Sequence, residues 1–211
     1  VDVAAVAPVL EGIAAVLAGA TDGGERQGHL SDARRRCSGL AELAPAGASK
    51  PVVDDHLAAA LEAVEGSSES LVEGVRRLAP QLHWFRSYPD VEPGDPVMDR
   101  FLDNYAYTVI AGPTGDRWPE SPVDADDTVV GLTLQAPGIF YPAHAHPAVE
   151  LYGVIGGSGA WKRGDEDWVT RKPGSAFVHV AHETHIMETH EEPMLSWFVW
   201  TSDLDGTVDL V

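Results

Sequence analysis

Apolar residues recur at helical spacing through the first part of the chain and in short, turn-bounded runs through the second. Val6, Leu10, Ile13 and Leu17 lie three or four apart, which predicts an amphipathic helix stopped by Gly19 and Asp22-Gly23-Gly24. A second helix is predicted from about Ser31 to Leu43, ended by Pro45. A third is expected to begin at Asp54 or Asp55 as cap, with Leu57, Leu61 and Val64 on one face and Gly66-Ser67-Ser68 breaking it. Ser70-x-x-Glu73 predicts a capping box for a fourth, which buries Leu71, Val75 and Leu78 and ends before Pro80. Pro89, Pro93, Pro96, Pro113, Pro119 and Pro122 punctuate the next segment, and within it Asn104 to Ile110 reads as a strand. Beyond Asp126 the pattern is strand and turn: Thr128 to Leu134, Glu150 to Ile155, Ala160 to Trp161, Asp167 to Thr170, Ala176 to Val180 and Leu195 to Trp200. The expectation is a mainly β protein, with a helical extension over residues 1–100 packing on a small barrel or sandwich over residues 101–211.

Charge narrows the range of partners. The 33 acidic residues outnumber 14 basic ones, giving a net charge of −19, so neither nucleic acid nor an anionic membrane surface is expected as a partner. No run of eighteen or more uninterrupted apolar residues predicts a membrane span. Val1 to Ala20 is apolar, but Asp2 stands where a secretory signal needs basic residues, and Pro8 and Glu11 interrupt the run. A cytoplasmic location is the resulting expectation. The single cysteine, Cys37, excludes an internal disulfide and a cysteine-based metal site; Arg34, Arg35 and Arg36 beside it favour its thiolate, but no histidine is paired with it. Pairing of two copies into a homodimer through the helical layer is left open.

The chemistry concentrates between Gly138 and His185. His144 and His146, two apart on an extended segment, project from one face, and Glu150 and Tyr152 share that parity on the strand that follows. A further strand can bring His185 across to complete three imidazoles and one carboxylate. That donor set suits a divalent first-row transition metal better than calcium or magnesium.

The spacing Gly138-x5-His144-x-His146-x3-Glu150-x6-Gly157 resembles the first cupin motif at every fixed position. The second motif is looser: Gly174 opens it and His185 stands at its histidine, but Val180, His182 and Thr189 replace the usual Pro, Gly and Asn. A finer resemblance, carried by Tyr141-Pro-Ala-His144-x-His146-Pro-Ala-x-Glu150-Leu-Tyr152, Met187-x-Thr189-His190-Glu-x-Pro193 and Trp200, is to the cupin-type dimethylsulfoniopropionate lyases of the DddQ, DddL and DddW group. It implies a cupin (double-stranded β-helix, jelly-roll) barrel behind a helical N-terminal extension. It also implies one divalent metal, zinc, iron or manganese, held by His144, His146, Glu150 and His185. Tyr152 would be the catalytic base with Tyr141 beside it, and Tyr141 and Trp200 would line a pocket for a small zwitterionic sulfonium. The implied reaction is β-elimination to dimethyl sulfide and acrylate.

Clean alternation of the last strand puts Trp197 and Trp200 on opposite faces, so at most one enters the pocket. His182 is a candidate for substrate binding or for fixing a ligand, and His179 flanks the same motif. His29, His56, His83 and His190 show no partner pattern. Rival functions with the same ligands are a dioxygenase or sugar isomerase, and a non-catalytic cupin that senses a small ligand. The tyrosine pair favours the lyase, because a dioxygenase needs no such base.

Overall fold

The computed structural model describes residues 3–22, 26–37, 50–113, 118 and 121–211. Among the described residues five α-helices, α1 (Val3–Gly19), α2 (Arg26–Cys37), α3 (Pro51–Ala60), α4 (Glu69–Leu78) and α5 (Pro96–Asp103), precede the strands, with a 3-10 turn at Ala79–Gln81 after α4. Then come β1 (Tyr105–Gly112), β2 (Val123–Asp124), β3 (Val129–Gln135), β4 (Phe140–Ala145), β5 (Glu150–Gly156) and β6 (Gly159–Arg163). The last five are β7 (Val169–Arg171), β8 (Ala176–His179), β9 (His185–Thr189), β10 (Met194–Trp200) and β11 (Asp209–Leu210).

Two mostly antiparallel sheets form the barrel, with strand orders β2-β1-β3-β10-β5-β8 and β11-β4-β9-β6-β7. This is the cupin double-stranded β-helix. The sheets differ in what covers them. Every residue of β3, β5 and β10 is buried, because α3 packs near β1, β3 and β10 while α2 lies beside β5 and β8. Strands buried on both faces carry continuous apolar runs rather than alternation. In the second sheet β9 alternates buried and half-buried positions, as a strand with one solvated face does.

Several helix boundaries differ from expectation. α1 ends at Gly19 as expected but starts as early as Val3, with Pro8 inside it. α2 begins at Arg26 rather than Ser31, and its expected end at Leu43 and Pro45 lies outside the described residues, as do the side chains of Arg34 to Cys37. α3 begins earlier, after Lys50, because Pro51 fills a first-turn position whose N–H would be unpaired in any case. The capping box does not form: Ser68 precedes α4 with no side-chain cap, and its hydroxyl pairs with that of Ser70 instead. α5 was hidden by the prolines around it. Asp95 caps it, accepting from the N–H groups of Val97 and Met98, and Pro96 occupies its first turn. β9 also carries more strand than its polar sequence suggested. Gly138 and Gly157 have φ of 69° and 71°, the left-handed conformation that turns around the motif require.

Candidate active site and metal centre

Strand register assembles the site. Glu150 on β5 is paired directly with Trp200 on β10 and with His179 on β8, so the three side chains share the inner face of the barrel. The next inward row is Phe198, Tyr152 and Phe177. From the opposite sheet, His144 on β4 pairs with His185 on β9. The register between β4 and β9 slips by one residue between Tyr141 and His144. That bulge places Tyr141 on the same face as His144, and the two rings stack at 3.9 Å and 8°.

Each candidate ligand histidine is tied to its own chain. The Nδ1 atoms of His144, His146 and His185 lie 2.9, 3.0 and 2.9 Å from the carbonyl oxygens of Pro142, Ala148 and Glu183. A carbonyl only accepts, so each Nδ1 must carry the hydrogen, and in a neutral ring Nε2 keeps its lone pair for a ligand. His146, Glu150 and His185 bring one donor atom each to within 4.8 Å of one another. His146 Nε2 is 3.2 Å and His185 Nε2 3.6 Å from Glu150 Oε2, and His185 Nε2 is buried with no hydrogen-bond partner. Electron-rich atoms converging in this way call for a cation between them, and two imidazoles with a carboxylate fit a divalent transition metal. His144 stands beside this group, with its ring centroid 4.0 Å from that of His185 and 6.5 Å from that of His146.

The electrostatics follow from burial. Burial opposes the charge on Glu150, but in the metal-free site protonated His146, followed by His185, would outweigh it by charge and hydrogen bond and hold the carboxyl well below its usual range; a metal ion would take the place of those Nε2 protons. The indole N–H of Trp200 donates to Glu150 Oε1 over 2.8 Å, so one oxygen is tied and the other faces the histidines. His144 is pushed well below the usual imidazole value, first by burial and then by neighbouring His185. Burial, then Tyr88, raises the Tyr141 phenol, and burial, then Glu150, raises that of Tyr152.

A cavity of about 400 Å³ opens over these residues. Tyr141, His144, His146, Glu150, Tyr152 and Trp200 all line it. His185 lies just beneath, fully buried. Trp197 points the other way, its ring over Gly153, where a Cβ would come within 2.1 Å of it. His182 is not brought to the cavity: it is exposed in the turn before β9 with φ 59°, and only its backbone N–H reaches the site, donating to the carbonyl of His146 over 2.7 Å. Sequence reasoning missed Tyr88, Tyr105 and Trp118, which also line the cavity. The hydroxyl of Tyr105 is 3.4 Å from that of Tyr152, and the hydroxyl of Tyr88 is 2.9 Å from that of Tyr141.

Fold and site together define a cupin whose donor set is suited to a divalent metal. Residues 27–196 match the dimethylsulfoniopropionate lyase family, and the chain belongs to it. It is 29% identical over 189 residues to a protein of Cereibacter sphaeroides assigned as dimethylsulfoniopropionate lyase DddL, covering 86% of this chain and 75% of that one. Among solved structures, a chain from the crystal structures of the DMSP lyases RdDddP and RnDddQII superposes with a TM-score of 0.69 at 22% identity, covering 99% of this chain and 98% of that one. DMSP lyase DddQ from Ruegeria pomeroyi DSS-3 gives 0.65 at 18% identity, over 82% of each chain. These two likenesses establish the fold. Among the described residues no helix is long and apolar enough to cross a membrane.

Proposed function

We propose that this chain is a metal-dependent lyase that cleaves dimethylsulfoniopropionate to dimethyl sulfide and acrylate by β-elimination. Family membership supports the substrate. The observation that carries the chemistry is the position of Tyr152, which lines the cavity two residues along β5 from Glu150 and on the same face. His146, Glu150 and His185 would hold zinc, iron or manganese, with His144 available as a fourth donor. When bound, such an ion supplies Lewis-acid stabilisation of charge developing on the substrate carboxylate and a positive field beside the Tyr152 phenol.

Tyr152, as phenolate, takes the proton from the carbon next to the carboxylate. The C–H electron pair becomes the double bond of acrylate, and the C–S bond breaks with its pair moving to sulfur, which leaves as neutral dimethyl sulfide. Without a cation the buried phenol holds its proton, so the base is available only in the assembled site. The Tyr105 hydroxyl and the Thr133 hydroxyl, 3.4 and 3.5 Å from that of Tyr152, keep its oxygen in place. Trp200 offers an aromatic face to the sulfonium, a contact on the order of 1–2 kcal/mol once water is excluded, while Tyr141, stacked between His144 at 3.9 Å and Phe101 at 4.0 Å, offers its edge and hydroxyl to the same cavity.

The test is to load purified protein with zinc, iron or manganese, add dimethylsulfoniopropionate and measure dimethyl sulfide in the headspace. Tyr152→Phe is expected to lower turnover by about a hundredfold or more with metal content unchanged. Full activity of that variant removes Tyr152 as the base, and absence of the gas with every metal removes the substrate assignment.

A further inference from the structure

His185 is held from behind as well as from its own turn. Its ring stacks on that of His179 at 3.9 Å and 11°, while His144 meets it edge-on at 63°. His179 is fully buried, and neither ring nitrogen has a hydrogen-bond partner; its nearest charged group is Glu183, whose Oε2 lies 3.7 Å from His179 Nδ1. Glu183 occupies the turn between β8 and β9. Its carboxylate accepts from the N–H of Val180 at 3.3 Å, and its backbone carbonyl accepts from Nδ1 of His185. One residue therefore sets both the back wall and the rotation of the His185 ring.

Glu183 is in turn gripped from the far end of the sequence. The guanidinium of Arg26, the first residue of α2, pairs with its carboxylate across 157 positions of chain. Four residues earlier, Asp22 pairs with Arg163 at 3.0 Å and accepts from the N–H of Val178 at 3.2 Å, while Arg163 donates to the carbonyl of Val178 at 3.0 Å. β8 is the edge of its sheet, and these two side chains satisfy the edge groups that a further strand would otherwise pair with. Asp22 and Arg26 thus clamp β8 and the following turn, which carry His179 and Glu183. A half-buried ion pair contributes little to stability when apolar packing can do the same. Its placement on the residue that orients a ligand histidine gives it a different use.

We propose that Arg26 is a positioning residue for the metal centre, acting through Glu183 and His179 to fix the plane of His185. This rests on His185 being a metal ligand. Groups that orient ligands typically alter metal affinity by 10- to 100-fold.

The test is Zn2+ affinity by competition with a chromophoric chelator, alongside thermal unfolding of the metal-free protein. Wild type, Arg26→Met, Glu183→Gln, the double variant, His185→Ala and Gly74→Ala are compared. Gly74→Ala strains the helical layer alone, since its Cβ would come within 2.9 Å of Val9. Arg26→Met and Glu183→Gln are each expected to weaken Zn2+ binding about tenfold or more, the double variant no further, and Gly74→Ala not at all. Should Arg26→Met not fold, Glu183→Gln, which keeps the side chain's shape, decides the question. Binding within twofold of wild type in both variants overturns the positioning role. So does a loss that Gly74→Ala reproduces, or losses that multiply in the double variant. Equal binding by His185→Ala removes His185 as a ligand and the role of Arg26 with it. Absence of Zn2+ binding by wild type overturns the metal reading itself, a distinct result.

Discussion

Replacing Trp200 by Phe removes one hydrogen bond and leaves an aromatic ring where one is needed. The indole N–H reaches Glu150 Oε1 at 2.8 Å, and the ring packs edge-on to Trp118 at 5.3 Å and against His146 at 4.7 Å. Phenylalanine keeps most of those contacts but strands a buried carboxylate oxygen. A hydrogen bond to a charged group contributes about 1.5–3 kcal/mol, against about 0.5–1.5 kcal/mol between neutral partners. Trp200→Phe is therefore expected to lower the unfolding free energy of the metal-free protein by about 2 kcal/mol. In a Glu150→Gln background the partner is neutral, and the cost should shrink by about 1 kcal/mol. Urea unfolding of wild type, both single variants and the double variant reads this coupling directly. An equal cost in both backgrounds would refute the claim that the indole acts on the charge of Glu150.

Two further outcomes test the packing and the electrostatics. Gly153→Ala places a Cβ within 2.1 Å of the Trp197 ring, which is fully buried and has nowhere to move, so a loss of about 1–3 kcal/mol or more is expected in the same urea assay. A wild-type stability in Gly153→Ala shows that this face is loosely packed. The metal-free protein should lose thermal stability on acidification. The buried His144 and His179 are held below the ordinary value of 6.5, so their contribution is complete above that pH and declines below it as the unfolded chain takes up protons. Glu150 adds the same sign lower down, its contribution being lost as pH falls from 4.5 through its depressed folded value. A melting temperature that rises between pH 7.5 and 5 after chelator treatment contradicts this.

What was legible in the sequence followed from periodicity and motif spacing. Period-two alternation separated Trp197 from Trp200, and those two tryptophans do face opposite sides of β10. Alternation alone, however, sets Tyr141 against His144; only the bulge in β4 brings them together, and a bulge depends on the partner strand. Tyr88, Tyr105 and Trp118 escaped notice because they enter the cavity from three separate segments, none of which carries motif spacing. His179 had a usable signal. It shares a face with Phe177 on β8, and a strand paired with the ligand strand must present one of its faces to Glu150. His182, by contrast, stands closer to His185 in the motif, but its left-handed backbone leaves its ring exposed. The prolines before β1 fit loop punctuation and helix starts alike, and Asp95-Pro96 is a helix start.

The unequal cladding of the two sheets also bears on how the chain meets water. With β3, β5 and β10 buried on both faces, the first sheet has no hydrated outer side of its own and borrows one from the helices laid over it. Cutting the helices away would bare a continuous oily wall of the kind that drives chains to associate, whatever the state of the pocket on the other side. The helical layer and the barrel therefore share a single interior boundary, and sequence drift in one is constrained by the other.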